Sequence, residues 1–389
     1  MSDLQRTIAR PHPKPVARET EPIPEEDGNS SSSSASSMSS TMTIVPSEDA
    51  PTSLIPTSTW QDYFEQELYL SCLERKAEYH VYLTQPDNPA KDPVVVCHHG
   101  AGSSGLSFAC FAKSLKQKLP GAGILSVDAR DHGSSVEQQD SSTDFSLDVL
   151  AADLLSMVRL TQARLWPEMP NIVLLGHSLG GAVVTRLAKE GSFGAKLVGF
   201  GVIDVVEGSA IDALRSMQTY LSSRPSTFPS LDSAIEWHIR SRTVRNRESA
   251  TVSTPGLVVE HKPGMWTWRT DLACKCFDLF RTSCFLTILL ATQPFWQNWF
   301  TGLSSSFLAG KGAKLLLLAG TDRLDKDLMI GQMQGKFQMQ VFPEAGHFVQ
   351  EDLPERTADI VVEFYKRNDR SALVLPPKVS DLLKQGKRV

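Results

Sequence analysis

Ser178 stands at the centre of Gly176-His177-Ser178-Leu179-Gly180, a G-x-S-x-G sequence. A serine hydroxyl is a weak nucleophile until a base takes its proton, so such a motif carries meaning only in context. Here an uncharged run at residues 171–175 precedes it with strand character, and residues 181–189 follow with helix character. A strand that turns sharply into a helix lifts the intervening serine above the sheet edge, and small neighbours let the backbone pack that closely. The start of the following helix favours negative charge developing on a substrate oxygen. The chemistry suited to this constellation is attack on a carbonyl carbon.

That attack needs a base, and the base needs an orienting acid. His347, in Glu344-Ala345-Gly346-His347-Phe348, lies between a strand-like run at 339–342 and the last helix-like run at 355–366. His98, His99 and His132 also close strand-like runs, but they precede the serine. In α/β-hydrolases the order is serine, then acid, then histidine, so His347 is the expected base. Two carboxylates qualify as the acid. Asp204 ends the first strand-like run after the serine, within Val202-Ile203-Asp204-Val205-Val206-Glu207-Gly208, and Asp322 ends the next. Many α/β-hydrolases use the later position, so pattern alone favours Asp322 while leaving Asp204 open. An oxyanion hole needs two backbone N–H groups. Leu179 should supply one, and Ala101, in the loop His99-Gly100-Ala101-Gly102, the other.

Such residues must be held at one edge of a sheet. Strand-like runs at 77–83, 93–97, 123–127, 171–175, 197–203, 313–318 and 339–342 alternate with helix-like runs at 108–118, 146–165, 181–189 and 355–366. The run at 93–97 is uncharged and rich in valine, as suits a strand buried on both faces. The helix at 146–165 aligns Leu147, Leu150, Leu154, Met157, Val158 and Leu165 on one side. The alternation predicts an α/β fold of the α/β-hydrolase type, with a mostly parallel central sheet flanked by helices. The stretch at about 208–307 breaks this rhythm, with helical segments at 211–221 and 232–242, and is expected to form a lid over the site. The charged loop Asp128-Ala129-Arg130-Asp131-His132-Gly133-Ser134 is expected to be structural.

Composition bounds the rest. The chain has 389 residues, 41% apolar and 21% charged, the balance of a globular protein with room for one large α/β domain. Residues 1–50, rich in Ser and Pro, read as a disordered tail, with the domain at 51–370 and a second tail at 371–389. The first 50 residues hold four basic and eight acidic side chains, so most of the net charge of −5 lies there. No basic face argues for nucleic acid or an anionic membrane. The six cysteines lack zinc-ligand spacing and read as free thiols, so no metal is expected. The N-terminus lacks the apolar core of a signal peptide, and the longest uncharged apolar stretch, near 284–291, is too short to span a membrane. These features predict a soluble, cytoplasmic protein, with the nucleus left open.

Over roughly residues 51–366 the chain resembles the protein phosphatase methylesterase family. Three stretches carry the likeness. The first is His99-Gly100-Ala101-Gly102 with Leu106-Ser107-Phe108. The second is Gly176–Gly181 with Ile203-Asp204-Val205-Val206-Glu207-Gly208 and Met217-Gln218. The third runs from Asp322-Arg323-Leu324-Asp325-Lys326-Asp327-Leu328 through IGQMQGKFQMQV at 330–341 to Gly346-His347. The resemblance implies hydrolysis, without a cofactor, of the methyl ester on the C-terminal leucine of the protein phosphatase 2A catalytic subunit. It also implies that the acid is the aspartate of the I-D-V-V-E-G segment, Asp204, leaving Asp322 to shape the site or pair with Arg323 or Lys326. The lid is then expected to contact the phosphatase itself. One departure stands out: Trp268-Arg269 and Phe295-Trp296-Gln297-Asn298-Trp299-Phe300 are separated by extra residues at about 274–290, which hold Cys274, Cys276 and Cys284. A lineage-specific insertion and a translated intron are the two readings of that stretch.

Overall fold

The computed structural model describes residues 58–137, 144–270, 293–320 and 324–369. The expected tails at 1–50 and 371–389, the extra stretch at 274–290 and Asp322 lie outside the described residues.

The sheet begins with an antiparallel pair, Gln66–Cys72 (β1) and Ala77–Thr84 (β2). Then come Val94–His98 (β3), Gly123–Val127 (β4), the short Val136–Glu137 (β5), Ile172–His177 (β6) and Leu197–Ile203 (β7). Three further strands, Thr227–Phe228 (β8), Val258–Lys262 (β9) and Met265–Trp268 (β10), form a separate small sheet. Ala313–Leu318 (β11) and Gln338–Val341 (β12) complete the main one. Its order is β1-β2-β4-β3-β6-β7-β11-β12, with β5 beside β2. From β4 to β12 all neighbours along this order run parallel. The helices are Ala109–Lys118 (α1), Leu147–Leu165 (α2), Leu179–Glu190 (α3), Glu207–Ser223 (α4), Leu231–Arg240 (α5), Arg247–Ser253 (α6), Trp296–Phe300 (α7), Leu303–Ala309 (α8), Lys326–Met333 (α9), Val349–Asp352 (α10) and Pro354–Asn368 (α11).

The central strands are mostly apolar because both faces are covered. In β3, Val94 and Val96 enter one core cluster while Val95 and Cys97 enter the other. In β11, Leu316 and Leu318 go one way and Leu315 and Leu317 the other. This period of two sends alternate side chains to opposite faces. The first cluster takes Leu150, Leu154, Met157 and Val158 of α2 and much of α3, and Leu147 and Leu165 pack at its edge. The second takes α1 and α11. Cutting Leu154 back to alanine in such a core costs about 2–5 kcal/mol.

The predicted helix at 181–189 in fact starts at Leu179, directly after the serine. The two glycines following Leu179 sit in its first turn because the packing there leaves no room for a side chain: a Cβ would lie 2.1 Å from the His98 carbonyl oxygen at Gly180 and 2.8 Å from Val205 at Gly181. The charged loop after β4 is structural, as expected. Asp128 is fully buried and accepts the N–H groups of Gly105 at 2.7 Å and Ser134 at 2.8 Å, with His80 Nδ1 at 2.8 Å. Arg130 Nε meets the buried Asp153 of α2 at 2.6 Å, and Tyr79 Oη donates to the same carboxylate at 2.6 Å. Paired and hydrogen-bonded in this way, a buried charge is tolerated.

The segment between β7 and β11 carries α4 to α8 and the small sheet. It has its own apolar centre, where Phe228, Ala234 and Val258 pack with Trp237, Trp266 and Trp268. Among the described residues no helix is long and apolar enough to cross a membrane.

Candidate active site

The chain order of the parallel strands reverses at β3, which has β4 on one side and β6 on the other. In such sheets a crevice opens at the carboxyl ends of the strands beside that reversal. Both the loop after β3 and the turn after β6 end there.

Ser178 occupies the turn between β6 and α3 with φ +52° and ψ −117°. A non-glycine residue so far from the ordinary wells costs on the order of 1–3 kcal/mol and persists only when its surroundings impose it. The surroundings are visible. Ser178 N donates to the carbonyl of Ile203 at 3.0 Å, and Gly181 N donates back to the Ser178 carbonyl at 2.8 Å. The flanking glycines are required by packing. A Cβ on Gly176 would lie 2.1 Å from the Gly180 carbonyl oxygen, and one on Gly180 would lie 2.1 Å from that of His98. The hydroxyl-bearing residue is partly exposed, while Leu179 behind it is buried.

Because Ser178 is bonded to Ile203, the last residue of β7, the residue that follows it, Asp204, is delivered to the same place. Asp204 too has a positive φ, +50°, so two of the five non-glycine residues with this conformation among the described residues fall in the site. Its side chain is 0% exposed. Oδ1 accepts the Ala319 N–H at 2.9 Å, and Oδ2 lies 2.8 Å from His347 Nδ1. His347 is 45% exposed. The carboxylate thus fixes the imidazole with Nδ1 protonated and Nε2 free to take a proton. Of the two acids the pattern allowed, Asp204 makes this contact.

The I-D-V-V-E-G segment does one more thing. Glu207 Oε1 accepts the Gly302 N–H at 2.8 Å and Oε2 that of Ser304 at 3.2 Å, anchoring the start of α8. Ser304 Oγ in turn donates to Asp325.

His98, His99 and His132, the competing histidines, form a buried buttress under the loop that holds Gly100 and Ala101. His99 Nδ1 donates to the Gly100 carbonyl at 2.7 Å, and its Nε2 accepts the Ala129 N–H at 2.9 Å. His132 Nδ1 donates to the Arg130 carbonyl at 2.8 Å, and its Nε2 accepts the Gly102 N–H at 2.9 Å. The rings of His99 and His132 are each used as donor and acceptor, which requires the neutral form. Burial pushes all three below the usual histidine range, His98 to about 4. The loop they hold touches the serine: a Cβ on Gly100 would come within 3.0 Å of Ser178 Cβ. Leu179 is first in α3, so its N–H has no carbonyl four residues back within its helix to bond.

Two residues that sequence reasoning did not single out secure the histidine loop. His177, the residue before the serine, places Nε2 2.9 Å from the His347 carbonyl oxygen. Asp352 accepts the Gly346 N–H at 2.6 Å and the Arg245 N–H at 2.7 Å. The guanidinium of Arg245 also reaches the Glu344 carbonyl. Arg245 belongs to the segment between β7 and β11, so that segment is fastened to the loop bearing His347.

Comparison with known proteins gives the fold and the family. Residues 95–360 match the model of the alpha/beta hydrolase family. The E-2-(acetamidomethylene)succinate hydrolase structure overlays 77% of this chain and 99% of its own with a TM-score of 0.57, at 17% identity, a likeness of fold. Protein phosphatase methylesterase 1 of Emericella nidulans is 54% identical over 98% of this chain and 93% of its own length. The Gibberella zeae protein of that name is 51% identical over the whole of both. The Schizosaccharomyces pombe protein of that name is 41% identical over 83% of this chain and 88% of its own. With an α/β-hydrolase fold and identity of this extent, the chain belongs to the protein phosphatase methylesterase 1 family and is a methylesterase.

Proposed function

We propose that this enzyme removes the methyl ester from the C-terminal leucine of the protein phosphatase 2A catalytic subunit, using Ser178, His347 and Asp204. The observation that carries the reading is the 2.8 Å contact of Asp204 with His347, one residue beyond the carbonyl that holds Ser178 in its strained turn. His347 Nε2 takes the Ser178 proton as Oγ attacks the ester carbonyl carbon. Negative charge moves to the carbonyl oxygen, where the N–H groups of Leu179 and Ala101 receive it. Removing one such donor costs about 3 kcal/mol. The tetrahedral intermediate collapses as the imidazolium protonates the departing methoxide, releasing methanol. Water, deprotonated by His347, then attacks the acyl-enzyme and frees the leucine carboxylate. Asp204 keeps the proton on Nδ1 throughout and stabilises the imidazolium. No cofactor enters these steps.

In this reading the segment between β7 and β11 acts as a lid that meets the phosphatase surface, the domain spans about 51–370, and the enzyme works in the cytoplasm. The test is methanol release from methylated protein phosphatase 2A by wild type and Ser178→Ala. Activity lost in the variant, with slow wild-type turnover of a free methyl-ester peptide, supports a phosphatase-directed esterase. No release from the phosphatase with rapid hydrolysis of simple esters would assign a general carboxylesterase. Suppression of phosphatase activity by Ser178→Ala itself would assign a phosphatase-binding inhibitor.

A further inference from the structure

We propose that His177 is a positioning residue that holds His347 in register with Ser178. The proposal rests on the reading of Ser178 and His347 as nucleophile and base. Asp204 grips only the ring of His347, and with 45% of that side chain exposed, packing does little to hold it. A ring held at one nitrogen can still move if its backbone slides. His177 supplies the second hold, with its Nε2 2.9 Å from the His347 carbonyl oxygen. A carbonyl only accepts, so this nitrogen carries the proton and donates. The rings of His177 and His347 lie 4.7 Å apart, and Phe348 packs against both, 4.8 Å from His177 and 5.6 Å from His347.

The position in the chain gives this bond its effect. His177 is covalently joined to Ser178 at the end of β6. One rigid turn therefore sets both the nucleophile and, through a single hydrogen bond, the backbone of the base 170 residues further along. His177 is also built to stay neutral. Burial pushes it down to about 3, with the neighbouring His347 acting in the same direction. It therefore keeps its single donor and does not set a cation beside the imidazolium that forms during the reaction. Its Nδ1 is buried without a hydrogen-bond partner among the described residues and lies against Gly100. A histidine kept for packing alone would bury that nitrogen at a desolvation cost with no return.

The test compares His177→Gln, whose amide N–H reaches about as far as Nε2, with His177→Asn and His177→Leu, which offer no donor there. Active sites are titrated with a fluorophosphonate, and kcat and KM are measured on p-nitrophenyl acetate per titrated site. A misplacement of about 1 Å can cost about 100-fold in rate, so the Asn and Leu variants should lose about 30-fold in kcat with KM nearly unchanged. The Gln variant should recover most of that loss. Gln and Asn are both smaller than imidazole and polar, so packing losses shared by them cancel in the comparison. Equal kcat for Gln and Asn, or an unchanged kcat in Leu, overturns the proposal. Ser178→Ala and His347→Ala serve as the separate control: if His347→Ala reacts with the fluorophosphonate as fast as wild type, the underlying pairing is wrong. If that control loses reactivity while His177→Asn does not, only the role of His177 falls.

Discussion

Replacing Asp204 by asparagine should lower kcat by about 10³- to 10⁴-fold while leaving the fold intact. The side chain is sealed from solvent, and its two oxygens have different duties: Oδ1 takes the Ala319 N–H at 2.9 Å, and Oδ2 faces His347 Nδ1 at 2.8 Å. Asparagine can be placed in two ways. With its NH₂ toward Ala319, two donors would oppose each other in a buried site, at about 1–3 kcal/mol for the unsatisfied groups. With its NH₂ toward His347, the Ala319 bond survives, but Nδ1 must now accept. The second placement is cheaper, and it drives the imidazole proton to Nε2, the atom that has to receive the serine proton. At 1.36 kcal/mol per tenfold, the expected loss corresponds to about 4–5.5 kcal/mol of transition-state stabilisation. The assay is methanol release from methylated phosphatase, with KM and the urea midpoint measured alongside. KM and midpoint should change little, because shape and the Ala319 bond are kept. The parallel variant Asp322→Asn should stay within about tenfold of wild type. An Asp204→Asn enzyme with near-normal kcat, beside an inactive Asp322→Asn enzyme, would refute the assignment of the acid.

Three further outcomes follow from the packing. Gly180→Ala puts a Cβ 2.1 Å from the His98 carbonyl oxygen, in backbone that cannot swing away, and should lose about 3 kcal/mol of stability, read from chemical denaturation; a neutral result would mean that the turn relaxes freely. Asp352→Ala leaves the N–H groups of Gly346 and Arg245 without their acceptor and should cost about 2–4 kcal/mol together with a drop in kcat, since the loop of His347 loses its tie to the inserted segment. Burial raises the Glu351 carboxyl from 4.5 to about 8, so between those values the folded protein binds more protons than the unfolded one. Its stabilising share is therefore complete below the lower value and is lost as pH rises toward the upper one. The difference in urea midpoint between wild type and Glu351→Gln should accordingly shift against wild type across that window and then level off. A difference that stays flat with pH would show that Glu351 is ionised in the fold.

The parts of this molecule legible in the sequence are those set by neighbours along the chain. β4, β7 and β11 run where the apolar stretches do, because strands buried on both faces are made mostly of apolar residues. Ser178 is legible because its turn must be flanked by residues without side chains, and the structure supplies the reason in the carbonyls pressed against Gly176 and Gly180. β1 was legible in principle, since Leu68, Leu70 and Cys72 point inward between Glu67, Tyr69 and Ser71, but the aromatic Tyr69 on the outer face blurs that alternation. The acid could not be chosen by pattern, because Asp204 and Asp322 each follow a strand-like run in the sequence. The choice depends on which strand end reaches His347, a fact of tertiary structure that only the family likeness anticipated. His177 shows the limit most clearly. Within the pentapeptide it is an unspecified residue, and nothing adjacent distinguishes it from any other that would fit. Its meaning comes from a carbonyl 170 residues away, brought to it by the closing of the histidine loop over the end of β6. The same holds for Asp352, whose two partners come from opposite sides of the inserted segment's boundary. Spacing along a chain can place a nucleophile and order its partners, but the bonds that hold those partners still are made between segments, where spacing carries no information.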